Sequence, residues 1–239
     1  MTKRQRVLAI AEAANPEWTS VPLVGWSLVR ALMDVADVHL LTQVRNREAI
    51  ERTGLVEGRE FTALDTETVA RPVHGLAAKL GVGAGKAWTF GTALSTIDYY
   101  EFERQVWSRF GARIKRGEFD VVHRITPLSP VAPSIIAGLC KKAGVPFVLG
   151  PLNGGAPWPK EFREAQHAER EWLSYVRGAY KLLPGYLGTR RHASAVIVGS
   201  RHTFELEPSW VHDKCVYLPE NAIDPKRFFR QASYEEGGP

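Results

Sequence analysis

The feature that most constrains this chain is a repeated pairing. A short, near-continuous apolar run rich in β-branched residues is followed by a stretch with helical spacing. Residues 7–11 form the first such run, and residues 21–33 (VPLVGWSLVRALM) place Leu23, Trp26, Val29, Leu32 and Met33 at helical intervals. Further strands are expected at 38–42, 61–64, 121–126, 146–149, 195–198 and 216–218, and helices at 46–53, 96–116, 131–143, 161–180 and 201–206. Strands apolar on both faces belong in a parallel sheet covered on both sides, because a half-solvated sheet would alternate apolar and polar residues. The expected class is therefore α/β: a Rossmann-like parallel sheet with helices on both faces. Gly144 is placed to close the helix at 131–143.

The chain has 239 residues, 44% of them hydrophobic, which suffices for one large core or two small ones. Its two cysteines, Cys140 and Cys215, are too few for a disulfide framework and read as reduced thiols of a cytoplasmic protein. The basic start MTKRQR leads into an apolar run cut short by Glu12, which reads as a first strand rather than a signal peptide. No stretch reaches the roughly 18 apolar residues of a membrane span. A net charge of +5 favours anionic partners, but the basic clusters at 3–6, 113–116 and 190–191 are scattered and read as solvated surface. Zinc-finger spacing, RNA-recognition signatures and basic-zipper patterns are absent, which argues against nucleic acid.

Parallel sheets bind ligands outside the carboxyl ends of their strands, so the loops after Ala11, Thr42, Thr126, Leu149 and Val198 are the places to search. The first of these loops ends in Ser20, with Pro22 following early in the helix. Ser20 is expected to cap that helix, whose exposed N–H groups could also receive a phosphate. The run GVGAGKAW fails as a P-loop: Leu80 and Ala87 stand where Gly and Ser or Thr are required. The run GPLNGG follows a strand. Its Asn153 offers donor and acceptor together, and Gly154 and Gly155 permit close backbone approach or positive φ. In FDVVHRITPLSP, His123 shares a face with Ile125 and reads as a hydrogen-bonded core histidine at a strand's end. Arg124 and Thr126 share the other face and are expected to look into a cleft, since a charged guanidinium needs an anion or solvent.

Four stretches, FDVVHRITPLSP, GVPFVLGPLNGGAPWP, ASAVIVGSRHTFE and VYLPENAIDPKRF, resemble in order and spacing the N-terminal half of family 4 glycosyltransferases, over nearly the whole chain. That resemblance implies one half of a GT-B fold: an acceptor-side domain over residues 1–228, with 229–239 a linker towards a donor-binding domain. It implies a retaining, metal-independent transferase with a nucleotide-sugar as co-substrate and no other cofactor. The acceptor would be a glycan, lipid or small molecule. Arg124, Thr126 and His123 become the catalytic candidates, and Ser20, Asn153, Gly154 and Gly155 the cleft-binding ones. The chain departs from the family in three places. Ile125 occupies the position of the second histidine of D-x-x-H-x-H, TSVPLVG replaces the usual Gly-Gly, and the E-x7-E spacing from Glu161 to Glu169 lies in a charged helix where it arises by chance. Acceptor choice is expected in the loop at 71–95. The rival reading is a non-catalytic carbohydrate- or nucleotide-binding module. A peripheral membrane contact through Trp172, Tyr175, Tyr180, Lys181, Tyr186, Arg190 and Arg191 is a third.

Overall fold

The structure, a computed structural model, describes residues 3–66, 87–154 and 182–220. Among these residues, seven strands form one parallel sheet: β1 (Arg6–Ala11), β2 (Asp37–Gln43), β3 (Phe61–Leu64), β4 (Val121–Thr126), β5 (Phe147–Leu152), β6 (Ala195–Val198) and β7 (Cys215–Tyr217). They lie in the order β3-β2-β1-β4-β5-β6-β7. The helices are α1 (Val21–Val35), α2 (Arg47–Glu51), α3 (Ala87–Lys115), α4 (Ile136–Ala143), α5 (Tyr186–His192) and α6 (Arg201–Leu206), with 3-10 turns at Val44–Asn46 and Ser209–Lys214.

Side-chain alternation divides the core in two. From β1, Leu8 and Ile10 join Tyr99, Phe102 and Val106 of α3 and Ile136 and Cys140 of α4. Ala9 and Ala11 join Trp26 and Val29 of α1 on the other face. The sheet is thus covered on both sides, as its apolar strands require. Each aromatic side chain buried against it contributes roughly 2 kcal/mol. The chain runs outward from β1 through β2 to β3, then returns to β4 and builds the other way. That reversal puts a topological switch point between β1 and β4.

Boundaries moved where tertiary contacts outweighed local pattern. The helix expected at 131–143 starts only at Ile136, because Pro130 and Pro133 hold the preceding segment as a corner; Gly144, at φ 74°, ends it as expected. Strand β5 continues past Leu149 to Leu152, and α3 begins nine residues before the expected 96. Arg190 and Tyr186 are not surface or interfacial residues: both are about 1% exposed. Arg190 forks onto Glu207 at 2.5 and 2.7 Å, donates to Pro130 O at 2.8 Å, and stacks 3.7 Å over the Tyr186 ring. Gly155, the helix at 161–180 with Glu161 and Glu169, the segment 67–86, residues Trp172 to Lys181 and everything beyond Glu220 lie outside the described residues.

Candidate functional site

At the switch point the β1–α1 loop is clamped by buried polar groups. Asn46 Nδ2 donates to Glu12 O at 3.0 Å and to Thr42 Oγ1 at 2.9 Å, and Asn15 Nδ2 donates to Asn46 Oδ1 at 3.2 Å. The Glu12 carboxylate meets Arg45 at 2.5 Å; burial raises its pKa, while Arg45 pulls the other way. Sequence reading missed Asn15, Asn46 and Glu12 as a set. They fall within or beside the loops after Ala11 and Thr42, but nothing local says that they meet. Gly25 of α1 is required here, since a Cβ would overlap Ala13 O and press on Thr126 Cγ2. Ser20 is exposed and sits at φ 62°, ψ −138°, a glycine-type conformation, and its side chain makes no capping hydrogen bond. The expected cap is therefore corrected: with φ positive, the chain enters α1 as a glycine would carry it.

Strand β4 supplies His123, Arg124 and Thr126, and the structure buries all three, the last two completely. The expectation that Arg124 and Thr126 look together into an open cleft is overturned. The register with β1 shifts between Ile10 and Ala11, and this takes Thr126 out of the alternation. Its hydroxyl accepts from Ala13 N at 3.0 Å and donates to Ala13 O at 3.2 Å, on the α1 side. Arg124 stays on the α3 side, its guanidinium 5.7 Å from the Tyr99 ring centre and its Nη1 donating to Ala132 O at 2.9 Å. His123 is the hydrogen-bonded core residue that its pattern suggested: Nε2–H donates to Gly150 O at 2.7 Å. Burial first, and Arg124 to a lesser degree, lower its pKa to about 4, so the ring is neutral at pH 7.

Beside Arg124 lies Glu103 of α3, fully buried. Its carboxylate accepts from Ser134 Oγ, Ile135 N (2.6 Å) and Ile136 N (3.3 Å), so it satisfies the N-terminus of α4. Burial raises its pKa, while the Ser134 hydroxyl, the nearby Arg124 charge, Tyr99 and the Ile136 N–H oppose the shift.

At the carboxyl ends of β5 and β6, two segments distant in sequence come together. Asn153 Nδ2 donates to the Glu220 carboxylate. That carboxylate fills the place where a Cβ on Gly199 would go. Gly154 adopts φ 136°, as its place in GPLNGG suggested, and its carbonyl accepts from Thr203 Oγ1 at 3.5 Å. Ser200 caps α6 by accepting from Thr203 N at 3.1 Å. Asn153, Gly154, Gly199 and Glu220 thus form one ledge, with the β1–α1 loop and Thr126 forming another at the same end of the sheet. The Ser20 side chain makes no hydrogen bond to either among the described residues.

A shallow groove of about 560 Å³ lies at the opposite, amino-terminal end of the sheet. Three of its arginines act as ties: Arg4 to Asp37 at 3.0 Å, Arg6 to Asp120 at 2.6 Å and Arg113 to Glu118 at 2.6 Å. Among the described residues no group of three or more His, Cys, Asp or Glu side chains could hold a metal ion. Among them, too, no helix is long and apolar enough to cross a membrane. No protein-family model matches the chain, and no curated protein matches it.

Proposed function

We propose that this chain is the acceptor-binding half of a retaining, metal-independent glycosyltransferase that moves a sugar from a nucleotide-sugar to an acceptor hydroxyl. The observation that carries the reading is the Asn153–Glu220 ledge. It joins GPLNGG to LPEN, two of the four stretches on which the resemblance rests, at the end of a parallel sheet where ligands bind. An amide beside a carboxylate presents donors and acceptors together, which is the equipment for holding sugar hydroxyls. In this reading Asn153 and Glu220 orient the acceptor, Gly154 lets it approach the backbone, and Thr126 fixes the loop that ends in Ser20.

A second reading, a carbohydrate- or nucleotide-binding module without catalysis, is favoured by the burial of all three catalytic candidates, His123, Arg124 and Thr126. One experiment separates them. The protein made from its native gene is incubated with a panel of nucleotide-sugars and acceptors in the presence of EDTA. Product with retained anomeric configuration, reduced at least about tenfold by Asn153→Ala (about 1.4 kcal/mol), supports the transferase. Acceptor binding by calorimetry with no sugar transferred and no donor consumed overturns it in favour of the module.

A further inference from the structure

Several arginines among the described residues grip a carboxylate in one way, through the adjacent Nε and Nη2 edge of the guanidinium. Arg52 holds Glu17 at 2.7 and 2.8 Å, Arg104 holds Glu101 at 2.6 and 2.8 Å, Arg6 holds Asp120 at 3.1 and 2.6 Å, and Arg190 holds Glu207 at 2.5 and 2.7 Å. That edge matches the two oxygens of a carboxylate or phosphate. Arg124 differs: its Nε and Nη2 are buried and have no hydrogen-bond partner among the described residues, while Nη1 is held by Ala132 O at 2.9 Å and the Tyr99 ring centre lies 5.7 Å away. The neighbouring carboxylate, Glu103, is committed to Ser134, Ile135 N and Ile136 N and makes no ion pair with Arg124. A buried cation with two parallel donors left open is costly, and folded proteins keep few such groups without a use.

We propose that the Nε/Nη2 edge of Arg124 is the receptor for an oxyanion, a phosphate or carboxylate carried by the molecule that binds at this end of the sheet. The inference deepens the acceptor-binding reading by giving the acceptor a chemical class: it bears a phosphate or a carboxylate. The side chain has no solvent exposure. The anion therefore enters as the corner at 127–135, which carries Ala132, parts from α3.

The test uses the whole chain with inorganic phosphate and acetate as probes, against chloride at matched ionic strength and pH 8. A probe that fills the fork raises Tm by about 4 °C once it is at tenfold excess over its Kd. A rise with phosphate alone names a phosphate ligand, and a rise with acetate alone names a carboxylate. Arg124→Lys, which keeps the charge but loses the fork, should abolish the rise. Glu103→Gln, which removes a neighbouring carboxylate, should enlarge it. No rise in the wild-type chain overturns the proposal, as does a rise that survives Arg124→Lys or is no larger in Glu103→Gln. Neither donor nor turnover enters the measurement. A failure here leaves the transferase reading standing, and an absence of transfer leaves the anion site standing.

Discussion

The side-chain amide of Asn153 donates to the carboxylate of Glu220, and that carboxylate occupies the volume that any side chain on Gly199 would need. Three residues from three separate loops therefore behave as one unit at the carboxyl edge of the sheet.

A double-mutant cycle of Asn153→Ala and Glu220→Ala should give a coupling of about 1.5–3 kcal/mol in urea unfolding, the range for a hydrogen bond to a charged group. Gly199→Ala should reproduce the loss seen in Glu220→Ala and add little to it, because both act by removing the carboxylate. A coupling under about 0.5 kcal/mol would mean that the two side chains do not meet.

Ser20 holds a backbone conformation suited to glycine, at φ 62°, without the compensation of a cap. Ser20→Gly should stabilise the chain by about 1 kcal/mol, and Ser20→Val should destabilise it by at least as much. Thermal melts of the two variants would show opposite shifts; shifts of the same sign would refute the strain.

The Arg190–Glu207 pair is buried on both sides. Glu207→Ala leaves a guanidinium without its anion in the core and should cost about 3–5 kcal/mol. Replacing both, as Arg190→Met with Glu207→Leu, should restore most of that loss. Denaturant midpoints decide, and a double variant as unstable as the single one would show that the charges themselves are needed.

His123 makes stability fall towards acid. Its folded pKa is lowered to about 4 from an ordinary 6.5, first by burial and then by Arg124. The unfolded chain therefore binds more protons between those values. The contribution is complete above about pH 6.5 and is lost as pH falls through 4, up to about 3 kcal/mol. His123→Gln, which can still donate to Gly150 O but cannot titrate, should flatten this part of the pH–stability curve. The half-buried Glu12 carboxyl and the fully buried Glu103 carboxyl have raised values and act in the opposite sense, losing stability as pH rises. The His123 share is thus read from the difference between wild type and variant. An unchanged slope would show that His123 does not carry it.

The sheet was legible in the order of residues because burial on both faces leaves a local mark. Stretches such as VLAIA and AVIV are apolar throughout, and a helix must follow each to bring the chain back for a parallel strand. Gly144 as a helix end and Gly154 at positive φ were legible for a similar reason, since each is a property of one residue and its neighbours. Arg190 was misread as surface because its partners, Glu207 and Pro130 O, lie 17 and 60 residues away, and nothing in the dipeptide Arg190–Arg191 signals them. Strict alternation put Arg124 and Thr126 on one face, but the register shift opposite Ile10 and Ala11 sent them to opposite sides of the sheet.

The sequence by itself determined the α/β class, the strands and the end of the sheet at which to look, because periodicity and turn chemistry act over a few residues. Only the tertiary structure decided that Asn153 reaches Glu220, that Glu103 caps α4 and that Arg124 Nε and Nη2 are buried without a hydrogen-bond partner among the described residues. Those relations depend on which side chains long loops bring within 3 Å of each other, and a buried charge is recognised by its partners, which no local pattern encodes.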